Sequence, residues 1–235
     1  MRRMGRGALG ALVGLSLLAA CSSESANEER SLGTVLVGSL REAVRTQRAE
    51  RAPKVQVTPK MLAETREAAL QINPELLGGS DFLRRAASRR DSHPGRVEIW
   101  NSSDNAQVFL RDGVLVGTRG VGGDIIAADA TMTVLAVQGR RANAGLRSYE
   151  ISNGDATTTK FQLQCDVSVV GRENIIVVNQ KFPTTHLREN CRAGEDARTV
   201  LSNDYWVQDG SGLVRKSRQW VGPRSGYFEM ILLKN

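Results

Sequence analysis

The stretch richest in residues that could do chemistry is Phe109 to Asp124, FLRDGVLVGTRGVGGD, where Gly117, Gly120, Gly122 and Gly123 surround Arg119. Glycines this dense mark backbone at positive φ, or a close approach that a Cβ would block. A phosphate cradle is therefore the first chemistry to test, and the spacing fails it. A phosphate loop needs Gly-x-x-x-x-Gly-Lys followed by Ser or Thr, with a helix N-terminus behind it. The run contains no Gly-Lys pair, and no Gly-x-Gly-x-x-Gly joins a strand to a helix. It reads instead as a hairpin turn at Asp112-Gly113, the strand Val114-Leu115-Val116, and a glycine-bent continuation. Arg119 then has two roles open to it. Paired inward with a carboxylate such as Asp124 it pins the bend, which is the role expected; pointed toward residues 206–220 it joins a binding face.

Nucleophilic and metal chemistry find little support. There is no Gly-x-Ser-x-Gly elbow. The only histidines, His93 and His186, make no close-spaced ligand pattern, and His186 lies five residues before Cys191. No metal and no cofactor is expected. Carboxylate pairs meet only in space, so Asp104, Asp112, Asp124, Asp129, Glu150, Asp166 and Glu189 all stay open as acid–base members. A carboxylate-based polysaccharide-modifying enzyme is therefore a third reading behind two non-enzymatic ones.

Aromatic and basic residues suggest binding instead. Trp206 and Trp220 flank one expected hairpin that carries Arg215, Lys216, Arg218 and Gln219. Sugars stack their CH faces on indoles and Arg grips carboxylates in a fork, which makes the hairpin a candidate glycan contact. The competing expectation is that the indoles are core and only the basic residues alternate outward.

The N-terminus sets the compartment. Met1 to Arg6 is basic and Gly7 to Ala20 is uncharged, too short to anchor stably across a bilayer. The stretch ends Leu18-Ala19-Ala20-Cys21, the lipobox pattern, which predicts cleavage before Cys21 and acylation of that residue. Each buried CH₂ of an acyl chain adds ~0.8 kcal/mol of membrane affinity, so the mature protein should sit on a membrane by its lipid. Ser22 and Ser23 follow in place of an Asp retention signal, which predicts an outer-membrane, periplasm-facing position. Removing residues 1–20 takes away Arg2, Arg3 and Arg6 and lowers the formal net charge from +7 to +4. That charge on an exported protein predicts no nucleic-acid partner and is compatible with acidic lipid or acidic polysaccharide. Cys165 and Cys191, the remaining pair in an exported chain, read as a disulfide.

The elements that must position these residues fall into four parts. Residues 1–20 are signal and 21–30 a flexible tether. Residues 31–95 should be a helical part packed on the body, and 96–235 a β-rich domain. Leu32, Val35, Leu36, Leu40, Ala43 and Val44 have helical spacing. After Pro53 and a short Val55–Val57 strand, Thr58-Pro59 starts a helix expected to run through Met61, Leu62, Thr65, Ala68, Ala69 and Ile72 to Asn73-Pro74. Arg84, Arg85, Arg89 and Arg90 form a basic cluster, read as a solvated helix face or a contact for anionic glycan or lipid. From Val97 the chain alternates in short runs separated by turns, with Thr131–Val137 taken as a strand. The expected fold is mainly β: an antiparallel meander forming an open or half-closed barrel or sandwich, with one or two N-terminal helices.

The lipobox, the run Leu110 to Asp124, and the tail Tyr205-Trp206 with Lys216 to Pro223 and Gly226-Tyr227 resemble the YjbF/GfcB family, lipoproteins of exopolysaccharide and group-four capsule loci. The resemblance covers roughly Arg96 to Leu233 and the signal, and is loose over Ser31 to Arg90. It implies a barrel-like outer-membrane lipoprotein serving polysaccharide secretion, beside an outer-membrane β-barrel and a periplasmic partner. It carries no catalytic activity. Familiar segments at Phe161–Cys165 and Glu189–Cys191 support the disulfide. The strongest matching positions, Thr118, Arg119, Gly120, Asp124, Ser217, Arg218, Gln219 and Trp220, are expected on a surface. The second reading is a periplasmic carrier or chaperone holding lipid-linked or hydrophobic cargo in a half-open barrel, which requires an unfilled interior.

Overall fold

In the computed structural model, residues 54–194 and 198–235 are described. The signal segment, Cys21, the tether and the helix expected around Leu32–Val44 lie outside them. The first helix among the described residues, α1 (Pro59–Glu64), starts where the Thr58-Pro59 signal places it, with the Thr58 side chain accepting from the Met61 N–H. It does not continue to Ile72. Ala69–Pro74 is strand β1, buried along almost its whole length and paired on both sides, Leu70 with Leu83 and with Leu232. Ala68, Ala69 and Ile72 happen to have helical spacing, but a strand buried on both faces has no period of its own to contradict it. The basic cluster is strand as well: β2 (Asp81–Arg90) pairs with β3 (Arg96–Asn101), Arg90 opposite Arg96.

The chain continues through β4 (Gln107–Arg111), β5 (Val114–Arg119) and β6 (Ile125–Asp129) to a second helix, α2 (Thr131–Gly139). Then follow β7 (Asn143–Ser152), β8 (Thr158–Val177), β9 (Gln180–Arg192), β10 (Thr199–Gln208), β11 (Val214–Gly222) and β12 (Gly226–Lys234). Helix α2 corrects the strand expected at Thr131–Val137. Its β-branched residues imitate a strand, but Met132, Thr133, Val134, Ala136 and Val137 are all buried. A helix apolar on nearly every face belongs inside a protein. Arg140, in the left-handed region, ends it and returns its N–H to Ala136 and Val137.

All the strands form one antiparallel sheet in the order β5-β4-β3-β2-β1-β12-β11-β10-β9-β8-β7-β6. β5 and β6 are neighbours in sequence and are the two edges of the sheet, and they pack together. The sheet thus curls into a nearly closed barrel with a single seam, and the mainly β expectation holds.

The middle of the barrel is filled. Leu115, Leu163, Leu187 and Tyr205 are fully buried, and among them lies an ion pair, Arg147 with Glu189. Glu189 also accepts from Thr133 of α2, from Asn203 Nδ2 at 2.7 Å and from Tyr205 Oη at 3.2 Å. Burial works against the Arg147 charge, but the facing carboxylate outweighs it and raises the guanidinium's pKa. Cys165 and Cys191, opposite one another on β8 and β9, are joined in the expected disulfide beside this pair.

Candidate functional site

A sheet edge leaves a row of backbone N–H and C=O groups without partners, and burying such a row is costly unless something replaces the missing strand. At the seam, side chains do this. Gln219 of β11 reaches across the barrel to β5, accepting from Leu115 N at 2.8 Å and donating to Gly113 O at 2.8 Å. Arg147 of β7 donates to Leu115 O at 2.9 Å.

Beyond Gly117 the glycine-rich turn takes over. Asp124 accepts from Gly120 N at 2.8 Å and Val121 N at 3.0 Å, and the Thr118 hydroxyl bridges Asp124 and Ile125 N. Gly120, Gly122 and Gly123 all have positive φ. The turn rests on the β11–β12 turn: Ser225 Oγ donates to Val121 O and Gly122 O, and a Cβ on Gly222 would come within 2.7 Å of Gly123 O. The two stretches singled out in the sequence therefore meet, and what they build is the closure of the barrel.

This corrects three expectations. Arg119 is exposed, and the Asp124 carboxylate serves Thr118 and the turn backbone, so the pin of the bend is Asp124 with Thr118. Gln219 is fully buried. Trp220 is only 4 % exposed and packs edge-on to Tyr149 at 5.3 Å, with Phe161 beside it. β11 leaves β10 after Arg218, whose partner is Asp204, and turns this indole into the core. Thr118 and Ser217 are buried too, so none of Thr118, Ser217, Gln219 and Trp220 lies on a binding surface.

The other candidates lie on the outer face of β9 to β12. Trp206, half-buried, stacks on His186 with ring centroids 4.3 Å apart, donates to Glu173 Oε1 at 2.6 Å and has Lys216 Nζ 5.0 Å from its ring. His186 and Arg188 both meet Asp204 Oδ1, at 2.7 and 2.8 Å. Arg218 grips Glu75 with two hydrogen bonds of 2.6 and 2.8 Å and covers the Tyr227 ring. Partial burial opposes its charge, and Glu75 more than compensates, raising its pKa. Arg215 lies 4.4 Å over Phe182 and donates to Gln208, and partial burial lowers its pKa. Lys216 and Lys54 meet Glu229, whose pKa is pushed down to about 2 although burial alone would raise it.

Glu75 and Asp204 thus pair with Arg218 and Arg188, Glu229 is shared by Lys216 and Lys54, and Arg215 has only the Gln208 oxygen and the Phe182 ring. Those carboxylates were missed in the sequence because they come from distant segments, and only the strand register brings them beside Trp206, Lys216 and Arg218.

The carboxylates left open as acid–base members have structural employment. Asp112 accepts from Arg96 N at 3.0 Å and Gln138 Nε2 at 2.6 Å, Asp166 pairs with Arg192, and Asp104 accepts from Ser102. Asp129 accepts from Thr131 N, which lowers its pKa, and Glu150 accepts from Thr158 at 2.8 Å. Cys165, Cys191 and Glu189 lie within metal-ligand reach of one another, but the thiols are joined and the carboxylate is held by Arg147.

The fold is similar to the crystal structure of the hypothetical lipoprotein YmcC from Escherichia coli, with a TM-score of 0.64 at 18 % identity, covering 83 % of this chain and 94 % of that one. No curated protein sequence matches the chain. Residues 31–233 match the family model described as group 4 capsule polysaccharide lipoprotein gfcB, YjbF. That span includes the seam, the outer face and the part of the N-terminal half where the sequence likeness was loose. The chain belongs to the YjbF/GfcB family of group 4 capsule polysaccharide lipoproteins.

Proposed function

We propose that this protein is a lipid-anchored, periplasm-facing outer-membrane accessory factor in exopolysaccharide or capsule secretion, acting by binding rather than by catalysis. The observation that carries the reading is the division of labour in the barrel. Its interior is filled and its signature motifs are engaged in closure, so the outer face around Trp206 is left to meet a ligand. There an indole edge stands among charges that are already paired, an arrangement suited to saccharide hydroxyls. A second surface suits a protein partner. β8 overhangs β7 beyond Val167, leaving an open strand edge with Val170 and Ile176 exposed, the kind of edge to which a partner strand adds. The partner expected is an outer-membrane β-barrel or a periplasmic secretion component. A carrier role would have to use the end of the barrel, since its middle is filled.

The test is affinity capture of the lipidated protein from envelopes under mild detergent, with bound polysaccharide and protein scored separately. The expected result is that both are retained by the wild type. Trp206→Ala loses the polysaccharide, and Val170→Lys with Ile176→Lys loses the protein. Wild-type capture that recovers neither sinks the proposal.

A further inference from the structure

One end of the barrel opens into a cleft of about 480 Å³, which reaches the Gly113 end of the seam and lies apart from the Trp206 face. Its floor is apolar: Leu70, Trp100, Leu110, Val137 and Leu232 are all buried and all line it. The floor is where the β1–β4 wall, the end of α2 and the β10–β11 hairpin fail to meet. The volume lies within the range of small-molecule sites, which join an apolar lining to a few placed polar groups.

The charged groups that line it are two guanidinium groups, Arg85 and Arg96, and two carboxylates, Glu98 and Asp112. Arg96 is exposed on the rim, and its guanidinium has no carboxylate partner among the described residues. Arg85, also on the rim, gives one nitrogen to Glu98 Oε1 at 2.7 Å and Asn235 Oδ1 at 2.8 Å and lies 5.8 Å from the Trp100 ring. Arg89 and Arg90 follow on the same hairpin, again without a carboxylate partner among the described residues. Trp100 lines the cleft with its indole N–H buried and without an acceptor. An indole nitrogen is a donor only, so its natural complement is a ligand oxygen. The rim acids are engaged: Glu98 with Arg85, and Asp112 with Gln138 and Arg96 N.

From an aliphatic floor, an orphaned donor and a guanidinium-rich rim, we infer that this cleft binds a single-chain amphiphile with an anionic oxygen headgroup, its tail over Leu70, Leu110 and Leu232 and its head toward Arg96 and the Trp100 N–H. A phosphate and a carboxylate share that chemistry, so both headgroups enter the test. This site is independent of the outer-face reading, and neither depends on the other's ligand.

The experiment uses the full mature chain with Cys21→Ser, exported by an ordinary signal peptide so that no acyl chain of its own competes. Dodecyl phosphate and dodecanoate are titrated below their micellar concentrations by calorimetry, with thermal unfolding recorded for every variant. One-to-one binding is expected. Arg96→Ala, which removes a charge-assisted contact, should weaken it about tenfold or more, and Trp100→Phe, which keeps the ring and removes only the donor, about threefold to tenfold. Leu213→Trp, at the half-buried lip, should abolish binding at unchanged Tm, while Trp206→Ala should leave it intact. A stronger response to the phosphate assigns the head as phosphate, and the reverse as carboxylate. The inference is overturned if neither amphiphile binds, or if binding survives both Arg96→Ala and Leu213→Trp. It is also overturned if binding appears only after residues 21–53 are deleted, which makes that segment the occupant.

Discussion

Gln219 gives the sharpest test of how the barrel closes. It is fully buried, and its amide oxygen serves Leu115 N at 2.8 Å while its nitrogen serves Gly113 O at 2.8 Å and Ser217 Oγ at 2.9 Å. Gln219→Leu keeps a side chain of comparable bulk but strands one backbone donor, Leu115 N, and one backbone acceptor, Gly113 O, at the seam. A buried polar group left without a partner costs about 1–3 kcal/mol, and two of them cost roughly 2–6 kcal/mol. With a urea m-value of about 2 kcal/mol/M, the unfolding midpoint should fall by roughly 1–3 M. The assay is urea unfolding of the mature chain, followed by hydrogen exchange at the Leu115 amide. The midpoint should drop and that amide should lose protection while amides of β8 and β9 keep theirs. Thr118→Val, which removes the acceptor of Ile125 N at the other end of the seam, should act in the same direction with about half the effect. An unchanged midpoint together with an unchanged Leu115 amide refutes the account of the seam.

Three further outcomes follow from the interior and the outer face. Arg147→Met leaves Glu189 charged and unpaired in the core and should destabilise by about 3–5 kcal/mol, and adding Glu189→Leu should recover part of that loss in urea unfolding. Cys165→Ala with Cys191→Ala opens a loop closed over a separation of 26 residues and should cost about 3.5 kcal/mol in the loop-entropy model, read as a fall in Tm that reducing agent reproduces in the wild type. Glu229 has a folded pKa of about 2 against an ordinary 4.5, so its contribution is complete above about pH 5 and is lost as pH falls toward 2. Glu229→Gln should therefore flatten the acid limb of stability between those values, and parallel curves for variant and wild type would contradict the pairing with Lys216 and Lys54.

What could be read in the sequence followed from local physics. Thr58-Pro59 placed the start of α1 correctly because the cap needs only a side-chain oxygen and a proline within three residues. Alternation and turn residues foretold the antiparallel meander because both act over a few residues. The failures came where burial removes the period. β1 is buried on both faces and was read as a helix, and α2 is buried on most faces and was read as a strand. In each case the environment outweighed propensity, and that environment is made by distant chain segments. The basic run of β2 was misread for the converse reason, since a mostly exposed strand has no apolar stripe to reveal its period.

The candidate site shows the same division more sharply. Gln219 and Trp220 stand next to Arg218 in sequence and looked like parts of one surface, yet the first two lie in the interior and Arg218 lies outside. The run from Thr118 to Asp124, expected to be a glycine-bent strand pinned by Arg119, supplies through Thr118 and Asp124 the hydrogen bonds that a missing strand would have made. Closing a sheet on itself demands specific donors, acceptors and glycines at the two edges that meet, so a family recognised by such residues is recognised by its architecture. Ligand contact, by contrast, needs side chains that no other part of the fold uses. By that criterion Arg119 remains on the outside of the barrel and Arg96 with the Trp100 N–H at its open end, while Trp206 offers only the edge that His186 and Glu173 leave uncovered. The motifs that identify this protein and the residues that would meet its ligands are therefore largely different sets, and mutagenesis aimed at the motifs would report on folding before it reported on binding.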